Sequence, residues 1–535
     1  MPRLFSRRDF MAAGALALGS APFAGIDRVF ARQGSEGVFR HGVASGDPLR
    51  DRVILWTRVT PGEPDAVVDV EWMIARDVRM SRVIARGSMR TSAARDYTVK
   101  IDAVGLGAGS TYYYRFAARG ARSTVGRTRT LPARPTRRVK LAMASCANLP
   151  FGFFNVYGRI ASRPDLDLVL HLGDYIYEYP NNGYGNRPEG DGRPFGRVPR
   201  PDREIVSLAD YRERYAQYRE DPDLQAAHRQ HPFVAIWDDH ESANDSWSGG
   251  AQNHNPGEGD WSARKAAASQ AWREWMPVRE VTGAEYRLYR QFPLGDLADL
   301  MMLDTRLVGR DQQANAGDVA GIERASRQLL GTAQEDWLSE NLRDSTAAGK
   351  PWQILGQQVM FAPQIPAGKP AINNDSWEGY RAARNRVFDM AAHANVKHLV
   401  VLTGDVHSPW AFDLPRDPFD AMKYDPRSGR GAVGTEIVTA AVTSPNPLAA
   451  ERVPALFSAR PHLRYVASQD RGYVVLDITP DQLQADWFAV PTITERTALE
   501  QFAKGMVTHA ERPHFEEVSS PATIAEAPAL VPDLL

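Results

Sequence analysis

The pattern of the sequence changes near residue 138, and this change restricts the fold more than any other feature. Residues 37–135 contain short segments rich in β-branched and aromatic residues, separated by Gly, Asp and Pro, which predicts an all-β region similar to an immunoglobulin or fibronectin domain. From residue 138, short apolar segments alternate with helical ones, which predicts a layered α/β region. We therefore predict two domains, 37–135 and 138–515, followed by a C-terminal tail, 516–535.

Short apolar runs and periodic segments define the elements of the α/β region. The predicted strands are 139–144, 166–172, 233–237, 300–303, 352–358, 399–403 and 437–442. The predicted helices are 208–217, 264–275, 333–343 and 381–392. Two long stretches without a regular pattern, 181–203 and 362–375, are expected to be binding loops or flexible insertions.

The N-terminus has the pattern of a targeting signal. Arg7 and Arg8 are followed by Phe10 and an apolar stretch over 12–26, which is typical of a twin-arginine export signal. The alternative is a chance arginine pair. We interpret 1–31 as the signal, with the twin-arginine translocase as a partner and the periplasm or the medium as the destination. No later apolar run reaches the roughly 18 residues of a membrane span.

Charge and cysteine content restrict the function further. The formal net charge is -1, so no basic excess is present that would favour nucleic acid as a stable partner. Cys146 is the single cysteine, so the fold is not held by internal disulfides. Its thiol is a buried small hydrophobe, a metal ligand or a nucleophile, and these alternatives stay open at this point.

Four short motifs rich in ligand-type side chains directly follow predicted strands. They are Ser145-Cys146, Gly173-Asp174-Tyr175-Ile176-Tyr177, Trp237-Asp238-Asp239-His240-Glu241 and Gly404-Asp405-Val406-His407. In open α/β sheets ligands bind beyond the carboxyl ends of the strands, so the four motifs are expected to converge. One such Asp alone is often a turn residue or a helix cap. A thiolate, carboxylates, a phenol and an imidazole together form a metal-ligand set.

These motifs resemble a known superfamily. Gly-Asp-x-x-Tyr at 173–177, Asp-His-Glu at 239–241 and Gly-x-x-His at 404–407 are similar to the metallophosphoesterases, and the tyrosine is similar to that of the purple acid phosphatases. Cys146 and the Asp-Asp-His-Glu run resemble the alkaline phosphatase D family, as does Gly-Val-Ala-Ser-Gly-Asp-Pro at 42–48. The resemblance implies a layered β-sandwich flanked by helices for the catalytic domain.

The resemblance also implies a metal centre and its ligands. Fe(III) is expected to be bound by Cys146, Asp174, Tyr177 and His407. Asp174 is expected to bridge to a second metal, whose other ligands are Asp239 and Asp405. Hard oxygen ligands favour Ca²⁺ over Zn²⁺ at that position. Asp238, Glu241 and Asn244 are close enough in sequence to help a further Ca²⁺.

The implied reaction is in-line attack of a metal-bound hydroxide on a phosphate ester. His240 could protonate the leaving group or bind a phosphate oxygen, or it could only orient a ligand. Arg306 could clamp phosphate with two hydrogen bonds, or it could form a surface salt bridge. A cysteine-nucleophile phosphatase is disfavoured, because an Arg is expected six residues after its cysteine and Gly152 stands there.

The leading hypothesis is an exported alkaline phosphomonoesterase and phosphodiesterase that uses Fe(III) and Ca²⁺ and acts on small phosphate esters. One alternative is a phospholipase-D-like diesterase, because relatives of the family cleave phospholipid head groups. The other alternative is a non-catalytic protein with a structural metal site, in which the coordination is closed. The carboxylates beside His240 favour an open site.

Overall fold

The computed structural model of the protein describes residues 37–63, 65–181, 183–184, 196–280, 286–468 and 470–532. The predicted export signal, 1–31, lies outside the described residues, and so do residues 182 and 185–195 of the predicted loop 181–203. Among the described residues, none of the helices is both long enough and apolar enough to span a bilayer.

Strands dominate the described chain. In chain order they are β1 Val43–Gly46, β2 Arg52–Arg58, β3 Val68–Ala75, β4 Val83–Thr91, β5 Thr98–Val104, β6 Thr111–Ala118, β7 Ala121–Arg122, β8 Gly126–Arg129, β9 Val139–Ala144, β10 Leu168–His171, β11 Pro232–Ala235, β12 Arg290–Leu294, β13 Ala298–Met302, β14 Trp352–Gln357, β15 Leu399–Thr403, β16 Trp410–Pro415, β17 Ala432–Val438, β18 Leu463–Val466, β19 Arg471–Ile478, β20 Gln482–Val490, β21 Gln501–His509 and β22 Arg512–Val518.

The helices cover the outer faces of the sheets. They are α1 Asn155–Ala161, α2 Leu208–Tyr218, α3 Pro222–Gln230, α4 Trp261–Trp275, α5 Val319–Glu323, α6 Thr332–Ala347, α7 Arg381–His393 and α8 Val453–Ala459. Short 3₁₀ turns occur at Ala93–Arg95, Leu149–Phe151, Trp377–Tyr380 and Ala450–Arg452. Ser207 starts α2 with a capping box to Asp210, and the Asp221 carboxylate caps α3.

Two large sheets form the α/β region. The first has ten strands in the order β22-β21-β20-β19-β9-β10-β11-β1-β2-β5, and the second has seven in the order β12-β13-β14-β15-β17-β16-β18. The central strands of each sheet are parallel and fully buried, which explains their continuous apolar sequences. The Trp487 indole of β20, in the first sheet, donates to the Val438 carbonyl of β17, in the second sheet, at 3.0 Å. The predicted layered β-sandwich flanked by helices is thereby confirmed.

The all-β character of residues 37–135 is also confirmed, but the segment is not separate from the larger sheet. Strands β3, β4, β6, β7 and β8 form a sheet of their own. Strands β1, β2 and β5 instead extend the ten-stranded sheet, because β1 pairs in parallel with β11 through Ser45↔Pro232 and Gly46↔Phe233. Backbone hydrogen bonds therefore cross the predicted boundary near residue 136, and β1 connects the N-terminal segment to the ten-stranded sheet.

The predicted tail, 516–535, contacts the folded protein over its described residues. Its boundary falls inside β22, and the chain beyond that strand lies along the folded protein. The Ala522 amide donates to Asp486 at 2.8 Å. The amide and carbonyl of Val531 are both bound by the side chain of Gln230, and Val531 is buried against the small β sheet. The described part of the tail is therefore an extended segment held against the folded protein. Its short apolar residues gave no periodic signal in the sequence.

Candidate metal centre

The four motifs meet where the two sheets converge. Cys146, Asp174 and Asp239 follow β9, β10 and β11 of the ten-stranded sheet, whereas Asp405 follows β15 of the other sheet. The chain after β9 is bridged to the chain after β17 through Ser145 and Ala441. Since the parallel strands of each sheet end on the same side, their terminal loops come together at one edge, as the sequence predicts.

The first ligand group contains a thiol, a carboxylate, a phenol and an imidazole. Candidate ligand atoms of Cys146, Asp174 and His407 lie within 4.8 Å of one another. The Tyr177 hydroxyl donates to Asp174 Oδ2 at 3.0 Å and lies 3.2 Å from His407 Nε2. All four side chains are buried. When several atoms bind one metal at about 2.0–2.3 Å, the distances between these atoms are similar to those measured here between the four side chains. The group therefore fits a metal ion.

The backbone at this site is held in an uncommon conformation. Cys146, Asp174, Asp405 and His407 have φ angles of 61°, 52°, 58° and 65°, in the left-handed region that non-glycine residues seldom adopt. Each such residue costs about 1 kcal/mol or more, and such residues concentrate at functional sites. Because the chain bends sharply at these residues, their side chains extend from the strand ends into the same small space.

Carboxylates form a second ligand group beside the first. Asp238, Asp239 and Asp405 offer oxygen atoms within 4.8 Å of one another, and so do Asp239, Asp245 and Asp375. Asp245 and Asp375 were not predicted from the sequence. Asp375 ends the long loop 362–375, where no periodic pattern or motif pointed to it.

Arg306 is central to this acidic group. Its side chain is fully buried, donates to Asp238, and donates to Asp375 at 2.5 Å and to Asp405 at 3.0 Å. The predicted alternatives were a phosphate clamp and a surface salt bridge. The location excludes a surface pair, and the donors Nε, Nη1 and Nη2 are all engaged by carboxylates.

His240 lies beside both groups and is held by an unpredicted partner. Its Nδ1 is 2.7 Å from the Glu178 carboxylate, which also accepts from the Asn244 amide at 2.8 Å. Burial by itself lowers the pKa of His240, but the charges of Glu178, Asp239 and Asp174 outweigh it and hold the pKa well above its usual value. Glu178 directly follows Tyr177 in the sequence, so the motif itself could have suggested it.

The electrostatics of the site favour a cation. Burial raises the pKa of Asp405 to about 8 despite the charge of Arg306, and the carboxylates of Asp375 and Asp239 add to the effect. Burial and the Asp174 charge also hold the pKa of the Cys146 thiol well above its usual value. These groups repel one another when ionised, and a bound metal ion would relieve that repulsion.

Unsatisfied oxygen atoms support the same conclusion. Asp174 Oδ1 and Asp238 Oδ2 are buried and make no hydrogen bond to the described residues. A buried carboxylate oxygen without a partner is costly unless it binds a cation. Asp174 therefore has one oxygen that accepts from the Tyr177 hydroxyl and one that makes no hydrogen bond to the described residues.

Two further residues support the ligands. Glu241 accepts from the backbone amides of Asp174, Tyr175 and Asp238 at 3.0, 2.5 and 2.7 Å. This carboxylate therefore ties two of the motif loops together, and it is not free for the additional Ca²⁺ considered from the sequence. Ser444, which follows β17, donates to the Tyr177 hydroxyl at 2.5 Å. Its position after a strand end was the signal that could have identified it.

A pocket of about 460 Å³ opens onto the ligand groups. Its lining includes Asp174, Asp239, Asp405 and His407, together with His240. Met360, Val406, Trp410, Pro447 and Leu456 form its apolar walls. The site is therefore accessible to a small molecule, unlike a closed structural metal site.

Comparisons with known proteins agree with this geometry. The model of the PhoD-like phosphatase family matches residues 141–487, and that of its N-terminal domain matches residues 25–132. The chain is 37% identical over 504 residues to alkaline phosphatase D of Bacillus subtilis (strain 168), covering 90% of this chain and 82% of that protein. A solved structure described as PhoD superposes with a TM-score of 0.83 at 36% identity, over 92% of this chain and 94% of that one. The chain therefore belongs to the PhoD-like phosphatase family and is a phosphoesterase.

Proposed function

We propose that this phosphoesterase is exported, depends on Fe(III) and Ca²⁺, and hydrolyses small phosphate monoesters and diesters. The observation that carries the proposal is a chain of ligand groups beside an open pocket: Asp174 belongs to the group of Cys146 and His407 and also to a group with Asp239 and His240, and Asp239 belongs to both carboxylate groups. The mixed thiol, phenol and imidazole group suits Fe(III), whereas the all-carboxylate group suits Ca²⁺.

The ligands are assigned to the two metals by their chemistry. Cys146, Asp174, Tyr177 and His407 would hold Fe(III), and Asp174, Asp239 and Asp405 would hold Ca²⁺. When bound, adjacent cations neutralise phosphate charge and lower the pKa of water at the site. Asp245 and Asp375 join the carboxylate group as candidate calcium ligands, because their oxygens lie within 4.8 Å of an Asp239 oxygen.

The protein side chains have distinct roles in this proposal. Glu178 favours the protonated form of His240, whose Nε2 makes no hydrogen bond to the described residues, so the imidazole is placed to donate to a phosphate or leaving-group oxygen. Arg306 is proposed as a positioning residue and not as a phosphate clamp, because its donors already hold Asp238, Asp375 and Asp405. It holds these three carboxylates, which belong to different loops, in fixed positions relative to one another.

The metal requirement is tested on protein purified without chelators. Such protein is expected to contain both iron and calcium, and EGTA is expected to abolish hydrolysis of p-nitrophenyl phosphate. Ca²⁺ should then restore the activity better than Zn²⁺ or Mg²⁺. Full activity after thorough removal of calcium would contradict the assignment of Asp239 and Asp405.

The apolar pocket walls are compatible with the alternative of a phospholipase-D-like diesterase. Ile372 is 65% exposed and lines the pocket, and Phe457 of α8 is 41% exposed. Comparing p-nitrophenyl phosphate, bis(p-nitrophenyl) phosphate and phosphatidylcholine separates the hypotheses. Exclusive turnover of phosphatidylcholine would favour a phospholipase, and turnover of none would favour a non-catalytic metal-binding protein.

Export is proposed from the sequence of the N-terminus. Replacing Arg7 and Arg8 together by Lys is expected to leave active enzyme in the cytoplasm, because a twin-arginine signal depends on this pair. The measurement is the distribution of activity between cell fractions. Normal export of the double variant would refute the twin-arginine interpretation.

A further inference from the structure

The pocket contains a cationic side chain that the proposed reaction does not use. Arg460 follows the end of α8, is only 8% exposed, and lines the same pocket as the metal-ligand groups. An arginine that is nine-tenths buried normally has its donors paired, because an unpaired buried charge is costly. Its surroundings therefore indicate whether it serves the fold or a ligand.

The Arg460 guanidinium is only partly engaged by the protein. Nε donates to Gln364 Oε1 at 2.8 Å. Within the described ranges, Nη1 and Nη2 make no hydrogen bond and no carboxylate lies within 4.0 Å of the group. Burial lowers the pKa of Arg460, and the charge of Glu378 acts in the opposite direction. Glu378 already binds Arg384 at 2.6 Å and Arg381 at 3.0 Å, and it lies beyond ion-pair distance of Arg460.

Part of the pocket wall is apolar. Met360, Trp410 and Leu456 line it, and the Trp410 ring is fixed by a stack on Phe412 and by a hydrogen bond from Nε1 to Ser408 at 2.9 Å. A volume of about 460 Å³ is much more than one phosphate group requires. The shape therefore suits an ester whose alcohol part also occupies the pocket.

We propose that Arg460 forms a second anion subsite, which binds an acidic group on the alcohol part of the substrate. The preferred substrates would then be phosphate esters with an apolar body that ends in a carboxylate or a second phosphate. The two free terminal nitrogens form the planar fork that binds such groups with two parallel hydrogen bonds. Gln364 holds the guanidinium from its Nε side, which leaves that fork available. This inference rests on the proposed phosphoesterase function and specifies its substrate class.

The test compares matched esters that differ in one charge. We suggest 4-carboxyphenyl phosphate against its neutral 4-carbamoyl analogue, together with the pair that is one methylene longer. In the wild type, the ratio of kcat/KM for the charged ester to that for the neutral ester is measured first. In Arg460→Met this ratio is expected to fall by a factor of about ten or more in at least one pair, as expected for loss of a charge-assisted bidentate contact.

Two further variants make the result specific. Arg460→Lys keeps the charge but not the fork, so its ratio should lie between those of the wild type and Arg460→Met, and it serves if Arg460→Met fails to fold. Arg343→Met replaces an exposed arginine of α6 outside the pocket and should keep the wild-type ratio. Equal loss for charged and neutral esters in the Arg460 variants would overturn the subsite. Failure of the wild type to hydrolyse either ester would instead refute the proposed function.

Discussion

Replacing Gly173 by alanine is expected to damage stability and the metal site together. Gly173 has a φ of 101°, and a Cβ there would lie 2.3 Å from Asp238 Cβ and 2.6 Å from the Asp238 amide nitrogen. The side chain would therefore meet backbone that has no freedom to rotate away. Gly173 precedes Asp174 and Asp238 precedes Asp239, so any movement that relieves the contact separates two candidate ligands.

The expected magnitude has two parts. An L-residue in this backbone conformation costs roughly 1–3 kcal/mol. Forcing a methyl group into the packed contact costs about 1–3 kcal/mol more. The free energy of unfolding should therefore fall by about 2–6 kcal/mol, and most of the iron content and of kcat should be lost. Urea unfolding, metal analysis and p-nitrophenyl phosphate hydrolysis measure the three quantities.

Gly105→Ala is the matched control. Gly105 follows β5 with a φ of 78°, but a Cβ there would meet no atom within 4 Å. This variant should lose only the conformational part, roughly 1–3 kcal/mol, and should keep the wild-type kcat and iron content. Equal stability of the two variants, with wild-type kcat in Gly173→Ala, would refute the argument that this contact sets the ligand geometry.

Two other predictions concern the thiol and the acid stability. Cys146→Ser should fold but lose iron, visible absorbance and most of kcat, and Cys146→Asp should recover part of the iron; unchanged iron and kcat in Cys146→Ser would exclude ligation. Burial lowers the pKa of His398 from 6.5 to about 4. Between these two pH values the His398 imidazole is therefore protonated in the unfolded chain but neutral in the folded chain, so stability falls as the pH falls. His398 should therefore account for roughly 1.5 kcal/mol of stability lost between about pH 6.5 and about pH 5. The His398→Gln variant should lose less than the wild type by that amount, and identical pH profiles in denaturant unfolding would contradict the assignment.

The order of elements was predictable because it depends on local pattern. The predicted strands 139–144 and 399–403 coincide with β9 and β15, and the helix predicted at 381–392 is α7. Buried parallel strands are continuous apolar runs, and the ligand motifs follow them directly, so the edge of the sheet that carries the site could be predicted as well. No strand was predicted after the last ligand motif and the strand that follows it, so β19 to β22 were missed.

The sequence by itself determined the α/β pattern after residue 138, the all-β N-terminal segment and the placement of four ligand-type motifs directly after strands, because each depends on residue types within a few positions of a strand end. The six expected ligands came from the family resemblance of these motifs and stay a prediction. Only the tertiary structure decided that β1 joins the sheet of β11 and that Asp375 and Arg306 enter the acidic group. The partnership of Glu178 with His240 and the contact of the Arg460 guanidinium with Gln364 were also decided there. These features depend on contacts between residues far apart in the chain, where pairing is selected by packing and charge and leaves no periodic trace in the sequence.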